Sequence, residues 1–120
     1  MRKFLAGLIV AICLSSWVAP ALADPQTITG DVVSLSCYYQ NKKNIGKAGM
    51  LCANATVKYE GNPVGFVTED GKVYQFAGGL VANNNAKSIP LLGHTVTITG
   101  NVYEEAGMAM ISADDAKIVK

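Results

Sequence analysis

Two cysteines, Cys37 and Cys52, are the residues best equipped for chemistry in this chain, and fourteen residues lie between them. Such a pair either oxidises to a disulfide or stays reduced. Reduced, it offers soft sulfur donors to a metal such as Cu(I), with the thioether of Met50 as a third donor. Cys-x14-Cys is not a recognised metal-ligand spacing, so a Cys37–Cys52 bridge is the first expectation and the copper or redox reading the alternative. His94 is the single histidine. As ligand or base it would have to approach the cysteines, and nothing in the spacing brings it there. A Cys-His hydrolase would also need an orienting acid or amide, which no residue marks. Met108 and Met110 share a face at period two, and beside Ala109 and Ile111 they read as core filler rather than copper donors. Asp114 and Asp115 are adjacent, so on a strand they point apart and make no catalytic dyad. No glycine-rich phosphate loop and no Cys-x-x-Cys is present. An enzyme is not expected.

The elements that hold these residues begin after a leader. Arg2 and Lys3 precede an uncharged apolar stretch from Phe4 to Ala19, and Pro20 leads into Ala21-Leu22-Ala23. This is the pattern of a secretory signal peptide over residues 1–23, cleaved before Asp24, and too short for a stable membrane span. Ile12 is too bulky for Cys13 to be a lipid-modified residue. Residues 24–120 then form one domain in the periplasm or outside the cell, an oxidising space that favours the disulfide. The formal charge of +1 belongs to the precursor. Past Ala23, eight lysines and no arginine face nine carboxylates. A near-neutral surface without arginine argues against nucleic acid, where phosphate neutralisation supplies most of the affinity, and equally against anionic lipid. No second apolar run reaches membrane length, so no membrane insertion is expected after cleavage.

Alternation marks the strands. Thr27 to Tyr39 is β-branched and alternating and predicts a long first strand, which Gly30 lets coil sharply. Val64–Thr68 and Lys72–Ala77 predict a hairpin through Glu69-Asp70-Gly71. His94–Glu104 alternates, Glu105-Ala106-Gly107 turns, and a last strand runs from Met108 to near Val119. Between the third and fourth strands, Gly78–Gly93 carries the loop signal Asn83-Asn84-Asn85, and its Ile89, Leu91 and Leu92 suit a cap on one barrel end. Gln40–Pro63 is too long for a structureless loop, and a short helix is expected near Lys47–Tyr59, stopped by Gly61 and Pro63. The expected fold is all-β. It is a five-stranded OB-type barrel with a short helix between strands 1 and 2 and a loop or helical insertion between strands 3 and 4. Closure also removes the exposed edges of an open sheet.

Several segments also resemble a group of small exported bacterial OB-fold proteins of unestablished function. They are Thr29-Gly30-Asp31-Val32-Val33, Cys37-Tyr38, Cys52-Ala53, Pro63-Val64-Gly65, Asp70-Gly71-Lys72-Val73-Tyr74, Leu92-Gly93-His94-Thr95-Val96 and Thr99-Gly100-Asn101-Val102. The likeness spans nearly the whole chain after the leader and implies the fold, with no activity attached. Members of that group often carry a histidine three residues before the second cysteine and a further cysteine beyond it. Gly49 and Thr56 stand at those positions here, so the chemistry of the fuller cluster is not carried over.

The function that follows is a non-enzymatic exported module binding a small ligand or a protein partner, with no cofactor. The face of strands two and three is where OB folds hold ligands, which points to Phe66 and Tyr74 and to the loop Asn83, Asn84 and Asn85. Seven aromatics after the leader could include a stacking platform, but the basic groove that accompanies stacking on nucleic acid is missing.

Overall fold

The computed structural model describes residues 25–120. The leader and its cleavage point lie outside the described residues. β1 (Pro25–Ser34) is followed by α1 (Leu35–Gln40) and by a capping helix. That helix begins as a 3-10 turn (Gly46–Gly49), continues as α2 (Met50–Ala53) and widens into a π-helical stretch (Asn54–Tyr59). β2 (Val64–Val67) and β3 (Val73–Ala77) form the first hairpin, and 3-10 turns at Gly78–Val81 and Ile89–Leu91 lead on to β4 (Thr95–Glu105). β5 (Met108–Ser112) and the short β6 (Lys117–Ile118) complete the chain. The strands run in the order β1-β2-β3-β5-β4, and β4 pairs back onto β1. Every pairing is antiparallel except β3–β5, so this is a closed five-stranded mixed barrel of the OB type.

Inside it, Phe66, Phe76, Leu80, Leu92, Ile98 and Ile111 are the largest fully buried side chains. The capping helix turns Met50, Ala53 and Val57 into this core, where they meet Leu91, Leu92 and Ile89. One barrel end is thereby closed, as the apolar residues before β4 suggested. The seam between β1 and β4 is tied on its outer face by two hydroxyl pairs, Thr27 with Thr99 at 2.8 Å and Thr29 with Thr97 at 2.7 Å, and by the Thr95 hydroxyl donating to the Asp31 carboxylate at 2.5 Å.

Two elements differ from the sequence reading. The first strand stops at Ser34, five residues short of Tyr39, because Leu35 to Gln40 coil into α1. α1 folds back over β1 and β2, and Leu35 and Tyr38 join Val33, Val67, Ile45 and Val73 in a second small core on the outside of the barrel. Gly65 makes that approach possible. A Cβ there would meet the Tyr74 carbonyl oxygen and lie 2.8 Å from a Leu35 methyl. Gly65→Ala should therefore lower the urea midpoint, by an amount corresponding to about 2 kcal/mol, the usual cost of overpacking. An unshifted midpoint would show that α1 packs elsewhere. The last strand is also interrupted: Ala113 to Ala116 leave the sheet between β5 and β6, held by the Ala113 carbonyl, which accepts from the Leu80 N–H at 3.0 Å.

The helix foreseen near Lys47–Tyr59 is present from Gly46 to Tyr59, and the chain leaves it through Gly61 at a φ of +71°. Thr56 explains the widening of its last turns. Its hydroxyl donates to the Cys52 carbonyl at 2.9 Å, and such back-bonding pulls a carbonyl off the regular ladder.

Candidate functional site

The barrel register decides which side chains are free to bind. Phe66 pairs with Tyr74, and both face inward, with ring centroids 5.7 Å apart; Phe66 is fully buried. These two residues, expected on a ligand face, are core. The outer face of β2 is also unavailable, since α1 lies on it. Met108 and Met110 reverse in the other direction. Ala109 and Ile111 turn into the core, which puts the two methionines on the outer face of β5.

Open outer surface remains over β3 and β5. Gln75 is the partner of Met110 across the parallel pair, and β4 presents Tyr103 beside Met110 and Glu105 beside Met108. The outer row of β3 is Val73, Gln75 and Ala77, with Gln75 its one polar member. A hollow of about 530 Å³ opens at the hairpin end, between Tyr39 of α1 and the β4–β5 turn, with Val73 and Met108 in its lining. A narrower hollow of about 110 Å³ continues past Tyr39, Met108 and Gln75. A third, about 400 Å³, is lined by Gln75, Met110, Pro63, Asn84 and Asn85. Shared lining residues make the three one shallow groove along β3 and β5. Three large side chains along it are solvent-facing: Tyr39 is 66%, Met108 58% and Tyr103 51% exposed.

Charges sit at the hairpin end. Lys72 pairs with Glu104 and stands 5.2 Å from the centre of the Tyr74 ring. The Glu104 carboxylate accepts from the Lys72 ammonium and holds its pKa above the ordinary 10.5. On the neighbouring turn the Thr68 hydroxyl donates to Asp70, which lowers that carboxyl from 3.8. Both groups are exposed, so they set the sign of the rim rather than the stability of the fold.

The asparagine loop is only partly in the groove. Asn83, Asn84 and Asn85 all take left-handed φ values of 54°, 55° and 63°, a turn that asparagine tolerates better than other residues with a Cβ. Asn84 lines the far hollow. Asn85 is buried and its amide donates to the Asn62 carbonyl at 3.4 Å, so it holds the loop onto the residues before β2.

Cys37 and Cys52 are bonded to each other, with Cα atoms 6.1 Å apart, and join α1 to α2. The bridge is packed beside hydroxyls: Thr56 Oγ1 lies 3.4 Å from Cys37 Sγ and 2.7 Å from Ser34 Oγ. With both sulfurs engaged in the bond, neither is a thiolate donor. Met50 does not complete a sulfur set with them; its Sδ fills the space where a Cβ on Gly93 would stand. His94 is exposed, its Nδ1 3.4 Å from the Lys120 carbonyl. Among the described residues no group of three or more His, Cys, Asp or Glu side chains is placed to hold a metal.

The chain matches no family model, no curated protein and no solved structure. Geometry alone carries the functional reading.

Proposed function

We propose that the protein is a non-enzymatic binding module, exported to the periplasm or beyond, that holds a segment of a protein partner in the groove along β3 and β5. The observation that supports this most directly is the band of exposed Tyr39, Tyr103 and Met108 around the half-buried Gln75. Tyrosine and methionine are enriched at interfaces because they bury large area and adapt to shape. A small molecule needs a concave site that encloses most of its surface. This groove is shallow and open along its length, and suits a strip of polypeptide instead. Its floor of five β3 residues is roughly 13 Å long, room for four or five extended residues, and the Gln75 amide can pair with a peptide group. The copper reading has no comparable support, since its two principal donors are bonded to each other.

Selection of peptides from a random display library on the immobilised protein tests the reading. Enriched peptides should shift the NMR signals of Val73, Gln75, Met108 and Met110. Tyr39→Ala combined with Met108→Ala should weaken them by about 100-fold, as expected for losing two central anchors, with an unchanged urea midpoint. Selected peptides that bind the double variant as tightly as the parent, or that perturb only signals elsewhere, remove the groove from consideration.

A further inference from the structure

The near-neutral net charge conceals a segregation of charge along the fold. From Gln40 to Tyr59 the chain carries Lys42, Lys43, Lys47 and Lys58 and no carboxylate. Glu69, Asp70, Glu104 and Glu105 cluster instead around the β2–β3 and β4–β5 hairpins, at the barrel end opposite the capping helix.

That helix is apolar on both sides. Its inner stripe, Met50, Ala53 and Val57, belongs to the core. Its outer stripe carries Leu51, 88% exposed, and Tyr59, 78% exposed, with Ala48 and Ala55 beside them and Lys47 and Lys58 on the same side. Lys47, Leu51, Ala55, Lys58 and Tyr59 are all exposed, while Ala53 and Val57 between them are buried, so the five share the side of the helix turned away from the core. A helix whose outer face pairs a bare leucine with a tyrosine two turns on, in a segment where four lysines precede the single carboxylate Glu60, has an unmet apolar surface of net positive charge.

We propose that this face docks on an anionic lipid surface. The capping helix lies flat in the headgroup region, with Leu51 and Tyr59 entering the interface. Lys42, Lys43, Lys47 and Lys58 pair with lipid phosphates. Charge complementarity selects this occupant: the four lysines outnumber the two nearest carboxylates, Asp31 in the hollow beside Lys47 and exposed Glu60 after Tyr59, and leave the face net positive against a negative plane. Lysine stems also lie along apolar surface while their ammonium groups reach headgroups, and tyrosine favours the same depth. This is attachment at the surface and inserts no span; no helix among the described residues is long and apolar enough to cross a membrane. The peptide groove begins at the opposite end of the barrel, so docking leaves its hairpin end facing away from the lipid. The proposal stands independently of the groove.

Flotation of the purified exported chain with vesicles of phosphatidylglycerol and phosphatidylcholine in equal parts tests it, against vesicles of phosphatidylcholine alone. The expected result is flotation with the anionic vesicles only, diminishing as salt is raised. Each lysine near such a surface is worth about fivefold in affinity, so Lys47→Gln with Lys58→Gln should weaken binding by about 25-fold. Leu51→Gln should weaken it by about tenfold, through lost apolar contact. All three positions are exposed, so the urea midpoint should not move, which separates lost docking from lost folding. No flotation, equal flotation with both vesicles, or variants that float like the parent would overturn the proposal. Capture of soluble polyglutamate in place of vesicles would overturn it too, in favour of an acidic protein.

Discussion

Phe66→Ala is expected to cost about 3–5 kcal/mol, enough to leave the domain largely unfolded in mild urea. The ring is fully buried and makes edge contacts with Tyr74 and Phe76 at centroid distances of 5.7 and 5.4 Å. The three rings come from two adjacent strands and fill the middle of the barrel, where a missing ring leaves a void that rigid strands close poorly. Urea unfolding followed by circular dichroism measures the loss. The same substitution separates the two roles considered for this residue. On a ligand face it would weaken binding at nearly constant stability. In the core it lowers stability, and peptide binding fails only as the fold does. A change below about 1 kcal/mol would contradict the placement of Phe66 inside the barrel.

The second large effect belongs to the bridge. Replacing Cys37 and Cys52 together by alanine is expected to lower stability by about 3 kcal/mol, the chain-entropy value for a loop of this size. The two residues are 15 apart in sequence, and the loop between them contains the start of the capping helix. Without the bond, the loop before the capping helix is still held to α1 by Asn44, whose amide donates to the Cys37 carbonyl at 2.9 Å, and the last turns of that helix to the end of β1 by the Ser34–Thr56 hydroxyl pair at 2.7 Å. The variant should thus keep the barrel while its capping helix exchanges amide protons faster than the strands. Urea midpoints of the parent, the parent with reductant and the double variant give the number. A parent insensitive to reductant and equal to the variant would show that the bridge does not hold the cap.

Much of the barrel was legible because alternation and turn residues agree. Gly71 and Gly107 both have positive φ at the two hairpin turns, and Val96, Ile98 and Ile111 fall where period two puts core residues. Alternation fixes that two faces exist, without saying which one is inside. Met108 and Met110 are larger than Ala109, so size favoured them for the core; the register with Tyr103 and Gln75 placed them outside. Phe66 and Tyr74 were misplaced by the same ambiguity, since the ligand face of an OB fold and its interior are the two sides of one strand. A signal was present: Gly65 alternates with Phe66, and a glycine on an outer strand face marks something packed closely over it. α1 was hidden because Leu35 to Tyr39 continues an alternating pattern. Leu35 and Tyr38, three apart and both buried, are the helical spacing that overrides it. The groove was not legible at all, for it is made of what α1 leaves uncovered.

The hydroxyl-tied seam also determines when this protein can become itself during synthesis. Thr27 and Thr99 are 72 residues apart, and β1 has no second neighbour until β4 exists. A chain emerging from its amino terminus can build the first hairpin, but its earliest strand must wait, half-paired, for almost the last to arrive. Closure therefore waits until β4 has been made, and is governed by the search of two strands distant in sequence for one another.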